Sequence, residues 1–160
     1  RRGDRTASIV IAAGAAAAEE SQQQLRRRQL LRRLYAVYDS VLRTHGALRN
    51  LPRVEALRAE CERLDVLRAA PITHALLSAY AQTHSTRRML ELLARARAEW
   101  SYAPEEDTVA AMLYCLLETH DLAAAGALIE GLRVENGDRC LPPRVRTCVR
   151  RAIQRFPSTA

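Results

Sequence analysis

The chain repeats its pattern of apolar residues with a period of 36 residues between residues 71 and 133. A segment that begins at Pro71 is followed by a second segment of similar spacing. The dipeptides Thr83-His84 and Thr119-His120 occupy corresponding places in the two segments. Self-similarity at a period of about 20–50 residues is typical of folds built from stacked supersecondary units. A repeat architecture therefore has to be considered before any other fold.

Each repeat is predicted to contain two helices. The first helix of the second repeat has apolar residues at i, i+3, i+4, i+7 and i+8, namely Val109, Met112, Leu113, Leu116 and Leu117. Pro104 is predicted to open this helix, and Asp121 is a suitable N-cap for its partner helix. In the first repeat Pro71 takes the opening position, and Ser85 or Thr86 caps the second helix.

The segment ITHALLSAYAQTHSTRRMLELLARA carries a Leu-Leu pair, an Ala-Tyr, a helix-helix turn and a Leu-x-Leu-Leu, and the pair Pro104-Glu105 follows it. This pattern resembles the pentatricopeptide repeat family, over about residues 71–133. The resemblance implies an all-α fold, an α-solenoid of antiparallel helix-turn-helix repeats. Tetratricopeptide repeats are the nearest alternative, but the Trp and the Leu-Gly of their first helix are missing here.

The resemblance also suggests how the chain is divided. Residues 1–22 are predicted to form a tail that is extended or ordered by a partner, and residues 23–160 the helical repeat domain. Within this domain we expect a degenerate repeat at about 23–70, repeats at 71–106 and 107–134, and a capping helix at 142–157. Thr44-His45 is predicted to mark the turn of the degenerate repeat. The missing initiator Met suggests a processed or truncated product, and the Ala- and Arg-rich start partly resembles an organellar transit region.

Charge is distributed unevenly along the chain. The formal net charge is +7, and all 25 basic residues are arginine. Residues 71–134 hold five arginines and eight acids, a balance of −3, whereas residues 1–70 and 135–160 carry +6 and +4. A strongly basic protein suggests an anionic partner such as nucleic acid. The recognisable repeats are acidic, so we expect the two basic regions to make that contact.

Two groups of arginines are the predicted RNA-phosphate contacts. No acid lies between Ser21 and Tyr38, and solvated helix faces usually mix both signs of charge. The guanidinium fork binds oxyanions in a bidentate way. The candidates are Arg26, Arg27, Arg28, Arg32 and Arg33 in the first group, and Arg144, Arg146, Arg150, Arg151 and Arg155 in the second.

The family resemblance implies that polar side chains near the start of the first helix and at the repeat junction read RNA bases. The corresponding residues are His74, Ala75, Glu106 and Ala111. The two alanines offer no side-chain hydrogen bond, and a single histidine at a helix start suits a structural role as well. We therefore predict that base reading is vestigial.

Catalytic and metal sites find little support. The four cysteines form no C-x-x-C pair, and Gly126 and Gly131 lie within a helix pattern rather than a phosphate loop. The segment SIVIAAGAAAA is too short and too weakly apolar to span a membrane. We expect no enzyme activity, no cofactor, no metal, no membrane contact and no small-molecule substrate.

These expectations combine into one leading hypothesis and two alternatives. The leading hypothesis is a structural subunit of a mitochondrial ribonucleoprotein in the matrix, namely the mitochondrial ribosome, that contacts rRNA and neighbouring subunits. The composition resembles that of kinetoplastid mitochondrial ribosomal accessory proteins. The first alternative is an organellar pentatricopeptide factor for editing, stabilisation or polyadenylation of RNA. The second is a protein-binding helical-repeat scaffold.

Overall fold

The computed structural model describes residues 3–135 and 142–155, with side chains for residues 22–134 and 142–151. It contains the helices α1 (Gly3–Ala47), α2 (Leu51–Arg63), α3 (Ala70–Gln82), α4 (Thr86–Trp100), α5 (Glu106–Glu118), α6 (Leu122–Glu135) and α7 (Pro143–Arg155). These described residues include no β-strand. The prediction of an all-α chain is confirmed.

The chain divides into two compact units, residues 1–37 and 38–160. The described part of the first unit is the N-terminal portion of α1, which is helical from Gly3 onward. The predicted tail at residues 1–22 therefore falls largely within a helix. Alanine, which is abundant in this segment, has the highest helix propensity of all residues. No helix among the described residues is long and apolar enough to cross a membrane.

In the second unit the helices pack on their neighbours in the chain order expected of repeats. Helix α3 contacts α2, α4 and α5, and α5 contacts α4, α6 and α7. Helices α3 and α5 thus lie side by side, and so do α5 and α7. The largest side chains buried between these helices are Leu42, Val54, Ile72, Leu76, Leu77, Tyr80, Met89, Val109, Met112, Leu113, Leu116 and Val145.

Two buried tyrosines tie the degenerate repeat together and join it to the first repeat. The Tyr38 hydroxyl donates to Glu60 Oε1 at 2.7 Å, and the Tyr80 hydroxyl donates to Glu55 Oε1 at 2.8 Å. Burial raises the pKa of Tyr80 well above its ordinary value, and the hydrogen bond to Glu55 adds to the shift. Both tyrosines therefore stay neutral donors at physiological pH.

The same turn follows the first helix of each repeat. The backbone N–H of His84 donates to Ala81 O at 3.1 Å, and that of Ser85 donates to Tyr80 O at 2.9 Å. The turns after α1 and α5 have backbone hydrogen bonds of the same pattern. Arg49 (φ 53°), His84 (φ 53°) and His120 (φ 59°) are left-handed and occupy equivalent positions in the three turns. Residues 49, 84 and 120 are separated by intervals of 35 and 36 residues.

The turn predicted at Thr44-His45 is wrong by one helical turn. Both residues lie within α1, which continues to Ala47, and the turn follows at Leu48 to Asn50. The Thr-His dipeptide misled the prediction because the turn is formed by backbone hydrogen bonds. The degenerate repeat is therefore in register with the other two, since Arg49 lies 35 residues before His84.

Helix starts were predicted with mixed success. Asp121 caps α6 as expected, because its Oδ1 accepts the Ala124 N–H at 3.1 Å. Helix α4 begins at Thr86 after Ser85, although the Ser85 side chain makes no capping bond. Pro104 does not open α5, which begins at Glu106. Glu105 is the N-cap and is extended (ψ 157°), so Pro104 precedes the helix.

A glycine in α1 allows close approach to α3. A Cβ at Gly46 would lie 2.9 Å from the Ala79 backbone Cα, whereas a Cβ at Gly126 would meet nothing within 4 Å. Glycine to alanine in a helix normally stabilises by about 0.5–1 kcal/mol, but overpacking against backbone costs about 1–3 kcal/mol. We expect Gly46→Ala to lower the free energy of unfolding and Gly126→Ala to raise it. Urea titration of both variants measures this, and equal shifts would contradict the close approach.

Candidate nucleic-acid interface

The five predicted arginines of α1 are exposed cations. Among the side chains that the structure describes, none of them forms an ion pair, and no acid lies between residues 22 and 37. The group consists of Arg26, Arg27, Arg28, Arg32 and Arg33. Because no neighbouring carboxylate compensates these charges, this part of α1 presents a positive surface to solvent.

The C-terminal group is only partly free. Arg146, Arg150 and Arg151 are exposed on α7 and have no ion-pair partner among the described side chains. Arg144 instead donates from its guanidinium to Asp107 Oδ1, which joins the start of α7 to the start of α5. The side chain of Arg155 lies outside the described residues. Three arginines of this group therefore remain available for an external anion.

Four arginines in the repeats pair with nearby acids. Arg88 pairs with Glu55 at 3.2 Å and Arg95 with Glu62 at 2.6 Å, and both pairs join α4 to α2. Arg87 and Arg133 pair within their own helices, with Glu91 at 2.8 Å and Glu130 at 3.6 Å. The acidic middle of the sequence thus uses much of its positive charge for contacts within the protein.

Three further exposed arginines belong to the degenerate repeat. Arg49, Arg53 and Arg63 have no ion-pair partner among the described side chains. These three arginines were not predicted because each occurs singly, with no run of like charge to mark it. They lie in α2 or just before it and give the second unit uncompensated positive charge of its own.

The predicted base-reading residues do not form a common site. Ala75 is fully buried, so its side chain cannot contact a ligand. The ring of His74 is hydrogen-bonded to Thr108, and its Nδ1 lies 3.8 Å from Glu105 Oε2. Glu106 Oε1 accepts the Arg144 backbone N–H at 2.6 Å. His74 and Glu106 are thus occupied by contacts with α5 and with α7, respectively.

The fourth position, Ala111, lines a groove at the ends of three first helices. The lining residues are Gly46, Ala47, Arg49, Ala81, Gln82, His84, Ala111, Tyr114 and Glu118. Small residues line much of this groove, and the Tyr114 side chain, 43% exposed, contributes a phenol ring. His84 Nε2 lies 3.8 Å from Glu118 Oε2. This groove was not predicted from the sequence, although a tyrosine next to the apolar stripe of α5, as at Tyr114, is a usable signal.

The thiols of the described cysteines suit packing. Cys61 and Cys115 are buried, and burial raises the pKa of each thiol to about 11. Burial also raises the pKa of Cys148. A thiolate is the reactive form of cysteine, so burial disfavours reaction of these three thiols at neutral pH. No group of three or more potential metal-binding side chains occurs among the side chains described for residues 22–134 and 142–151.

Comparison with protein-family models, with curated proteins and with solved structures finds no match to this chain.

Proposed function

We propose that this protein is a non-catalytic subunit of a mitochondrial ribonucleoprotein, namely the mitochondrial ribosome, and that it contacts rRNA phosphates. In this proposal the helices form an α-solenoid of pentatricopeptide type, with degenerate repeats that serve as a scaffold. The packing of α3, α5 and α7 side by side supports such an arrangement. The sequence resemblance at residues 71–133 supports the family.

One observation carries the RNA contact. Eight of the ten arginines predicted to bind phosphate are exposed and without an ion pair among the described side chains, whereas Arg87, Arg88, Arg95 and Arg133 in the repeats are paired with acids. A free guanidinium can form a charge-assisted hydrogen bond with phosphate without first losing a carboxylate. The uncompensated charge therefore marks where an anionic polymer can bind.

The test is the dependence of RNA affinity on salt concentration. Binding to single-stranded RNA releases counterions, so log K falls with log salt by about 0.7 for each phosphate contact. If the eight free arginines all contact phosphates, we expect a slope of about −5 to −6. Fluorescence anisotropy with RNAs of equal length and different sequence measures it. A flat dependence rules out the phosphate contact, and a strong sequence preference favours the RNA-processing factor.

The cellular setting has a separate test. If the protein belongs to the mitochondrial ribosome, it should co-sediment with a ribosomal subunit in a mitochondrial lysate at moderate salt. When the ribosome is dissociated into its subunits, the protein should sediment with that same subunit. Sedimentation with free messenger RNA alone would support the RNA-processing factor instead.

A protein-binding scaffold is the second candidate function, because the groove beside Tyr114 is accessible. Tyrosine supplies a large contact area at a low entropy cost, which suits protein interfaces. If this function is the correct one, Tyr114→Ala abolishes partner binding, and the chain shows no measurable RNA affinity.

A further inference from the structure

One edge of the N-terminal unit carries large apolar side chains, two of which are largely exposed in the described structure. Leu30 is 65% exposed, Val37 is 60% exposed, and Leu34 between them is half-buried. The three residues follow a spacing of four and three, which places them on one helix face at positions d, a and d of a heptad. This spacing is the one by which a helix packs along a second helix.

Two free arginines border this apolar edge. Arg26 and Arg33 are seven residues apart, so they lie on the same side of the helix, and both correspond to heptad position g. Residues at position g face the partner helix in a helix pair and determine which charges it can carry. Arg27 occupies position a, one heptad before Leu34. The edge is therefore apolar in its middle and positive along its border.

The charge decides which partner fits. Residues 22–37 contain five arginines and no acid, so pairing with a second copy brings like charges together without compensation. An apolar edge offers RNA no favourable contact. Arg27 also interrupts the continuous apolar face that a helix needs to lie in a membrane surface. We propose that this edge binds an α-helix of a partner protein, with an apolar heptad stripe and with acidic residues facing Arg26 and Arg33.

This inference rests on the proposed function in one respect: it assigns some of the α1 arginines to RNA phosphates and the others to the partner helix. Arg28 and Arg32 lie on the opposite side of the helix from Leu34, as the helical repeat of 3.6 residues requires. They remain available for phosphate while the apolar edge holds the partner helix. The same helix segment thus joins an RNA to a protein through two different faces.

The probe is a synthetic peptide of four heptads with leucine at a and d and glutamate at e and g. The full chain should bind it, as measured by fluorescence anisotropy. We expect the double variant Leu30→Ala, Val37→Ala to weaken binding at least tenfold, because the apolar edge is lost. The matched control is Leu25→Ala, since Leu25 is 57% exposed but lies off this edge. It should leave the affinity unchanged.

A charge exchange completes the test. The double variant Arg26→Glu, Arg33→Glu should lose the glutamate peptide and gain a peptide with lysine at e and g. Equal binding of both peptides by the unchanged protein overturns the inference, and so does no binding of the glutamate peptide. The double variant Leu30→Ala, Val37→Ala is also tested for self-association, for RNA binding and for binding to anionic phospholipid vesicles. If it abolishes any one of these, the edge has a different occupant and the inference is overturned. Peptide binding without RNA binding refutes the proposed function alone.

Discussion

Replacing the five free arginines of α1 with glutamine lowers the affinity for single-stranded RNA on the order of a thousandfold at 0.1 M salt, if each contacts one phosphate. The slope of log K against log salt becomes shallower by about 3.5. The corresponding variant of Arg146, Arg150 and Arg151 reduces the slope by about 2. Glutamine has nearly the helix propensity of arginine, so both helices are retained. Anisotropy titrations between 0.05 and 0.3 M salt (about the physiological range) measure both effects.

The control removes the same charge from paired positions. Arg68, Arg87 and Arg133 are exposed and pair with nearby acids, so changing all three to glutamine matches the charge change in α7. This control should keep its slope, because these cations already contact carboxylates. The variant Glu106→Gln, Ala111→Ser at the predicted base-reading positions should also bind normally. If the control loses as much RNA affinity as the α7 variant, only net charge matters. If RNA affinity is lost only in the variant Glu106→Gln, Ala111→Ser, these positions do read RNA bases.

Leu113→Ala should cost about 2–5 kcal/mol of the free energy of unfolding. Leu113 is fully buried in α5, the helix that contacts α3, α4, α6 and α7. Truncation leaves a cavity where these packed helices meet, and the surrounding side chains can refill it only partly. Urea unfolding followed by circular dichroism gives the change in stability.

Leu122→Ala is the matched control for this truncation. Leu122 lies at the start of α6 and is 67% exposed, so the same chemical change should alter stability by no more than about 0.5 kcal/mol. If the two variants are equally stable, the face of α5 that carries Leu113 does not belong to the core. Unchanged slopes of unfolding against urea indicate that both variants unfold from the same compact state.

The helices of the two clear repeats could be predicted from sequence because their apolar residues follow the helical period. Met112, Leu113 and Leu116 are all buried, as the stripe predicted. Asp121 was predictable as a cap because a carboxylate that can accept a first-turn N–H is a local signal. Such features depend on residues within one helical turn of each other. They require no knowledge of the tertiary packing.

The ion pairs of the candidate interface could not be predicted in the same way. Arg88 and Glu55 are distant in the sequence, as are Arg144 and Asp107, and they meet only because the helices pack. The count of arginines gave the two basic regions but did not reveal that Arg144 is already paired. Arg49, Arg53 and Arg63 were missed because each occurs singly in the sequence, and only the packing shows that they have no ion-pair partner among the described side chains.

The left-handed turns bear on how such a chain can change over evolutionary time. Arg49, Asp65, His84, Ser101 and His120 all have positive φ without being glycine, at a cost of roughly 1–2 kcal/mol for an ordinary side chain. The backbone bonds and the packed helices hold these conformations, so no particular side chain is required there. Mutations can then replace every residue at these turns while the spacing between the turns persists. In such a lineage the repeat vanishes from the sequence long before it vanishes from the backbone.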